Sequence, residues 1–519
     1  MERKWWSLIA ICVAIFMLLL DVTVVNTALP RIQSSLHASF AELQWVINAY
    51  ALTLAALLLT AGSLADLFGR RLVFVTGLVL FTAASLLCGL SSSAVMLDLV
   101  RGVQGIGGAM MFATSLAIIA QAFTGRERGT AFGIFGATIG GAAGVGPLVG
   151  GALTDALGWE WIFFVNVPIG IGAVFLTMAK VDESSDPEAA RIDWWGVTTF
   201  SAALFMLVFA LIKGNDLGWG SGTILGLLIG SGVLLVAFVL GERAQERPML
   251  DLTLFRRPAF AGASIVAFAL SASMIAMFLY LTLYIQDLLG YKPFAAGLRF
   301  LPLSVLSFGV APIAGRLSVR IPVRVLLGTG LLLVGIALLL ESAVGPSSGW
   351  TVLLPGFIIS GIGIGTVNAP LASTAIGVVP PARSGMASGI NNTFRQVGIA
   401  TGIAGLGAIF EHEVRTRTLS SLARSGHAQD VVAAAHGHLA TVLQSGQVKP
   451  LLQHLPPPAA NAFAHAYRVG FTGALSECLT IAAIIAFVGA VLAFALVRGR
   501  DFVAVDQGAG APVAEPAAA

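Results

Sequence analysis

An aspartate set within an otherwise uncharged stretch is the residue of this chain best suited to chemistry. From Trp5 to Leu20 no charged side chain occurs, and Asp21 then appears within an apolar run that continues to Pro30. An ionised carboxylate in hydrocarbon is costly, so Asp21 must face protein or water. Desolvation penalises the charged form, so a group placed there can take up and release a proton near neutral pH. Asp21 is therefore expected to couple proton movement to the movement of a solute; the alternative is a permanently paired, structural carboxylate. A second charge, Arg101, lies inside a later apolar run. Arg101, Gln104, Gly105 and Gly108 fall within about a 100° arc at 3.6 residues per turn. A buried arginine needs an acceptor; Asp21 is the expected partner, with Asp98 as the rival. Protonation of Asp21 would weaken such a pair and bias the state of the bundle.

A third charged group lies in Gly62-Ser63-Leu64-Ala65-Asp66-Leu67-Phe68-Gly69-Arg70-Arg71. Glycines permit a tight turn there, while Asp66 with Arg70, Arg126 or Arg128 can make a breakable charge network, with Arg71 beside it. This network is the expected inner gate. Its weakened counterpart is Gly315-Arg316-Leu317. Further along, Gly129, Gly133, Gly136, Gly140 and Gly144 recur every three or four residues, a flat stripe for close helix contact. Pro147 lacks an N–H and should kink the helix, with Gly146, Gly150 and Gly151 around it.

Polar and aromatic groups within the apolar runs are candidates to contact the solute: Asn26, Trp45, Asn48, Tyr50, Gln104, Tyr280, Tyr284, Asn368 and Gln396. The stretch from Ala296 to Gly315 holds no acid; Glu411, Glu413 and Glu477, by the ends of the last two apolar runs, are candidate sources of negative charge. Six of the seven histidines lie between residues 412 and 472, but their spacing is irregular and no metal site is expected. Cys12, Cys88 and Cys478 read as small core residues. No phosphate-binding Gly-x-x-x-x-Gly-Lys-Ser/Thr loop occurs, so neither ATP hydrolysis nor any other enzyme activity, cofactor or nucleic acid is expected.

These residues must be held by membrane-crossing helices. The chain is 57% hydrophobic and only 11% charged, against roughly 25% charged in soluble proteins, and its mean hydropathy is +0.90. Continuous rather than alternating apolar runs favour helices over a barrel. Fourteen runs approach the ~20 residues a crossing needs: 6–28, 43–65, 72–92, 94–120, 130–152, 161–180, 195–213, 222–241, 260–285, 296–315, 322–341, 350–373, 393–411 and 473–497. The first run has no cleavage site before Asp21 and reads as a span, not a signal peptide. With the N-terminus inside, nineteen Lys and Arg fall in inner segments, Arg395 among them, and four in short outer loops, so both termini are expected to be cytoplasmic. Gly105/Gly361, Gly107/Gly363, Gly129/Gly385, Ala131/Ala387 and Gly133/Gly389 share one offset of 256. Two six-helix halves of like orientation, with a solute site between them, would produce that offset.

Together these patterns resemble the major facilitator superfamily, and within it the fourteen-span drug:proton antiporters of the QacA/EmrB type. The loop at 62–71 resembles the superfamily's hallmark loop. Leu20–Pro30 resembles the first-span signature, Arg101–Ala109 the fourth-span motif and Gly140–Gly151 the fifth-span antiporter motif. Trp159–Gly170 resembles a run of the fourteen-span branch, and Asn391-Asn392-Thr393-Phe394-Arg395-Gln396 precedes the thirteenth span. The resemblance implies an all-α polytopic membrane protein: a six-helix bundle at 1–180, two extra helices within 181–259, a second bundle at 260–498 that includes an outer segment at 412–472, and a disordered cytoplasmic tail at 499–519. It implies proton uptake at Asp21 assisted by Arg101, and a span-5 hinge that permits antiport. The expected activity is proton-driven export of amphipathic, monocationic or neutral drugs from a bacterium by a monomer in the inner membrane. An exporter of an endogenous metabolite or lipid, or a receptor without net transport, is the alternative.

Overall fold

A computed structural model describes residues 2–37, 40–185, 193–245, 248–380, 383–434 and 448–498. The expected tail at 499–519 lies outside the described residues. The helices of the first part are α1 (Arg3–Leu36), α2 (Phe40–Phe68), α3 (Arg70–Gly89), α4 (Ala94–Ala122), α5 (Gly125–Ala156), α6 (Trp161–Phe164) and α7 (Asn166–Lys180). Then come α8 (Trp194–Leu217), α9 (Gly222–Ala244), α10 (Pro258–Leu270), α11 (Ala276–Leu283), α12 (Pro293–Leu317), α13 (Val323–Glu341) and α14 (Leu354–Gly377). Last are α15 (Ser384–Ala423), α16 (Ala428–Ala434), α17 (Val448–His454) and α18 (Pro457–Leu496). Their starts carry recognisable caps. Ser93, Asp193 and Ser221 accept from the N–H groups of Met96, Gly196 and Ile224, and Pro258, Pro293 and Pro457 stand in first turns.

Among the described residues, twelve helices are long and apolar enough to cross a membrane. The expected runs at 130–152 and 393–411 are also helical, as α5 and α15, but are not among those twelve. Both carry glycines and polar groups, and both pack along other helices: α5 on α12, α1 and α14, and α15 on α18, α2 and α10. The outward surface is apolar, with Leu99 70%, Phe175 70% and Ile229 66% exposed. Such a surface suits lipid rather than water. The pair α8–α9 packs on the flank of α2 and α15, and α9 turns Ile229, Val233, Val236 and Leu240 outward.

Glycine contacts organise the two halves. In α3 and α4, a Cβ at Gly77 would stand 2.8 Å from the Gly107 carbonyl, and one at Gly107 2.7 Å from that of Gly77. In α13 and α14 the same crossing recurs: 2.9 Å from Gly330 to the Gly363 carbonyl and 2.8 Å in return. Between halves, a methyl on Gly62 of α2 would collide with the Gly385 carbonyl of α15, and one on Gly129 of α5 with the Gly315 carbonyl of α12. The repeat read from glycines is thus a repeat of helix crossings.

Both ends of the described chain lie on one side. Arg3 donates to the Lys180 carbonyl at 3.1 Å, Lys4 pairs with Glu127 at 2.6 Å, and Arg70 N–H donates to the Ser184 carbonyl at 2.8 Å. On the same side the end of α18 meets the start of α10, where a Cβ at Gly262 would stand 2.9 Å from Val497.

Three expectations on local structure change. The run at 260–285 is interrupted by π turns at Ser271–Ile275 and Tyr284–Leu288. The runs at 393–411 and 473–497 do not stop at the segment between them, because α15 and α18 extend into 412–472 and enclose the short helices α16 and α17 around Leu422, Val431, Leu451 and Phe463. Arg395 is not an inner-loop charge: it is 8% exposed within α15.

Candidate functional site

Asp21 is buried in α1, its side chain 0% exposed. Its Oδ2 accepts from Arg101 Nη1 at 2.5 Å. Its Oδ1 accepts from Gln104 Nε2 at 3.1 Å and from Asn166 Nδ2 at 3.0 Å. Arg101 is oriented in turn: Nε donates to the Val46 carbonyl of α2 at 3.0 Å, and Nη1 to Gln104 Oε1 at 2.8 Å. Its guanidinium lies 4.3 Å from the Tyr50 ring centroid, close enough for a cation–π contact. Gly105 and Gly108 make room for α2: a Cβ at Gly105 would collide with Thr53, and one at Gly108 would meet the Tyr50 hydroxyl at 3.0 Å. Thr53 Oγ1 then donates to the Gly102 carbonyl at 2.8 Å. Arg101 thus takes Asp21, not Asp98, as its carboxylate.

Sequence reasoning missed Asn166. It stands at the start of α7, 1% exposed, and donates both to Asp21 and to Ser85 Oγ at 3.0 Å. Ser85 Oγ passes the chain on to the Phe163 carbonyl at 2.9 Å. An asparagine beside Pro168 in an apolar run was the available signal. The cluster joins α1, α2, α3, α4 and α7.

Asp66 lies on the terminus-bearing side. Its Oδ1 accepts from Arg70 Nε at 3.0 Å and Nη2 at 2.9 Å. It also accepts from backbone N–H groups at the start of α15, Gly385 at 3.0 Å and Met386 at 2.8 Å. A helix N-terminus offers unpaired N–H groups and a partial positive charge to an anion. The expected network therefore forms with Arg70 but draws its other donors from the opposite half rather than from Arg128. Arg128 lies with its guanidinium 5.7 Å from the Phe132 ring, where burial lowers its pKa. The Arg126 side chain lies outside the described residues. Arg71 belongs to a separate contact with Glu183, whose carboxylate accepts from Arg71 N–H at 2.9 Å and Leu72 N–H at 3.0 Å. Gly69 joins the two at φ 112°, and a Cβ there would meet Glu183 at 2.6 Å, so only glycine fits this turn.

The α5 stripe faces the other half. Gly133 packs on Pro312, Gly136 on Ala369 and Asn368, and Gly140 on Ser307. Beyond it, Gly146 turns to Thr23 of α1, Gly150 is buried, and Gly151 approaches Phe294 of α12. The surroundings of Gly144 and the side chains of Pro147 and Asn26 lie outside the described residues.

The other candidate residues do not gather in one place. Tyr50 and Gln104 belong to the Asp21 cluster. Trp45 lies 5.7 Å from Phe209, and Asn48 is half-buried on the same helix. Tyr280 donates to the Ile403 carbonyl at 3.0 Å and Tyr284 to that of Ser348 at 2.9 Å, both within the second half. Asn368 accepts from Arg395 Nη2 at 2.9 Å, with Gln396 half-buried beside it. Asn392 reaches across to the Phe112 carbonyl at 3.3 Å. Where α15 meets α18, Arg417 holds both Glu413, at 2.7 Å, and Glu477. His436 and His438 lie outside the described residues, and His427 pairs with Asp430.

Comparison with known proteins agrees with this architecture. The chain is 38% identical over 406 residues to the multidrug resistance protein Stp of Mycobacterium tuberculosis, covering 78% of this chain and 75% of that protein. It is 37% identical over 412 residues to the puromycin resistance protein pur8 of Streptomyces alboniger, covering 78% and 82%. The fold matches the crystal structure of the human organic anion transporter MFSD10 (TETRAN) with a TM-score of 0.62 at 14% identity, over 95% of this chain and 100% of that one. Residues 11–403 match the Major Facilitator Superfamily. The chain belongs to that superfamily, a family of multi-pass membrane transporters and not of enzymes.

Proposed function

We propose that this protein exports amphipathic, monocationic or neutral drugs or antibiotics across the cytoplasmic membrane of a bacterium in exchange for protons. The observation that carries the coupling is the desolvated Asp21–Arg101 pair, with Gln104 and Asn166 on the second carboxylate oxygen. Protonating Asp21 removes the charge that Arg101 neutralises, so the five helices joined by the cluster lose a common anchor. Asp66 supplies the inner gate, because its donors come from both halves. The glycine stripe of α5 supplies the sliding surface between them. Names of relatives such as the multidrug resistance protein Stp support the substrate class.

In this reading α5 and α15 also cross the bilayer, giving fourteen crossings with both termini cytoplasmic. At 1.5 Å per residue, helices of 32 and 40 residues far exceed the roughly 30 Å hydrocarbon core. Glycine and polar side chains are tolerated in both because neighbouring helices, not lipid, cover them. The halves are 1–180 and 260–498, the protein acts as a monomer, and α8–α9 form an added flank. A narrower reading, export of one antibiotic, is favoured by the puromycin resistance named for one relative. Uptake of a panel of unrelated cations into inverted vesicles separates the two: uptake of a single compound supports the narrow reading.

A further inference from the structure

The second half holds a buried carboxyl that the Asp21 and Asp66 clusters do not use. Glu341, the last residue of α13, is 0% exposed. Its Oε1 accepts from Ser360 Oγ of α14 at 3.1 Å, and its Oε2 has no hydrogen-bond partner among the described residues. Gly356 allows this approach, since a Cβ there would meet Oε1 at 2.8 Å.

Its position follows from the repeat of helix crossings. Gly77 and Gly330 align α3 with α13, 253 residues apart, and Gly107 and Gly363 align α4 with α14, 256 apart. On that alignment Glu341 stands where the first half has Cys88, and Ser360 where it has Gln104. Cys88 Sγ contacts Gln104 Oε1 at 3.6 Å, and Gln104 is the amide that holds Asp21. The second half thus places an acid at the edge of the site equivalent to the Asp21 cluster.

We propose that Glu341 is a second proton-binding site of the transport cycle, a proposal that rests on the proton-coupled reading above. An ionised carboxylate with one neutral donor and no paired cation is costly in a dry interior, so Glu341 holds its proton in this arrangement. It releases that proton when the opposite state of the cycle admits water to the α13–α14 crossing. The charged groups of the neighbouring elements are engaged elsewhere. On α12, Arg299 lies 3.4 Å from the Tyr291 ring and 5.2 Å from that of Trp350. On α18, Ser476 donates to the Ser342 carbonyl at 2.7 Å, while the adjacent Glu477 is held by Arg417 of α15, together with Glu413.

Infrared difference spectroscopy of the full-length protein between alkaline and acid buffer tests this without a substrate. The wild type should show a buried carboxylic C=O band that titrates and disappears in Glu341→Gln, while a separate band disappears in Asp21→Asn. Ser360→Ala should keep the Glu341 band but move it, because the carbonyl loses its hydroxyl donor. A titrating spectrum unchanged by Glu341→Gln, or a band unmoved by Ser360→Ala, overturns the assignment. Loss of the Glu341 band with no effect of Asp21→Asn would instead sink the Asp21 coupling and leave Glu341 standing.

Discussion

Asp66 at the end of α2 accepts the backbone N–H of Met386 at the start of α15 at 2.8 Å, so a single carboxylate ties the two halves together on the side that carries the chain ends. The other oxygen, Oδ1, accepts from Arg70 Nε and Nη2 and from the Gly385 N–H. The proposed inner gate is therefore an anion at a helix N-terminus as much as an ion pair, and each half contributes donors to it.

Replacing Asp66 by Asn should release this side. Removing one partner of a buried pair costs about 3–5 kcal/mol, enough to shift the population toward a state open at Gly385. In a background free of Cys12, Cys88 and Cys478, a cysteine at Ser388→Cys should react with an impermeant thiol reagent at least tenfold faster when Asp66→Asn is added. Equal rates would show that Asp66 does not hold the gate.

Arg395 should separate stability from transport. It is buried in α15 with the neutral Asn368 as its acceptor, and Asn368 faces Gly136 across the halves. Exchanging a poorly compensated buried charge for an apolar side chain is often neutral or stabilising, by about 1–4 kcal/mol. Arg395→Met should therefore keep or raise the melting temperature while transport falls at least tenfold. Parallel loss of both would make Arg395 a structural residue only.

Asp193, which caps α8 ahead of its membrane span, should show in the acid limb of stability. Burial raises its carboxyl, but hydrogen bonds from Gly196 N–H, the Gln245 amide, the Glu242 carboxyl and Met249 N–H outweigh burial and hold its pKa below the ordinary value. A depressed folded value means the stabilisation is complete above the ordinary carboxylate range and is lost as pH falls through the depressed value. The melting-temperature gap between wild type and Asp193→Asn should be full at neutral pH and close below about pH 4. A gap that persists in acid would remove the linkage.

The sequence made charges in apolar runs conspicuous, and that is why Asp21, Arg101 and Asp66 could be picked out together. A desolvated charge is costly without a partner of opposite sign, which made Asp21 the expected acceptor for Arg101 with Asp98 as the rival; the geometry selects Asp21. Backbone donors carry no residue-type signature, so Gly385 and Met386 could not be foreseen as partners of Asp66. Glu341 was hidden for another reason: an acid at the end of an apolar run reads as an ordinary span boundary, and only its packing against Gly356 and Ser360 of α14 shows it as buried. Arg395 was misassigned because counting positive charges favours loops, whereas α15 begins eleven residues earlier, at Ser384. Aromatic candidates such as Tyr280 and Tyr284 proved to be tied to carbonyls of their own half, a role that spacing does not distinguish from solute contact.

The account stands or falls on the proton held at Asp21. Its most direct test is solute uptake into inverted membrane vesicles driven by an imposed pH gradient, with wild type compared with Asp21→Asn at equal protein level. The account predicts gradient-driven accumulation by the wild type and its loss in Asp21→Asn, with downhill solute exchange retained. Gradient-driven accumulation by Asp21→Asn at the wild-type rate would contradict it.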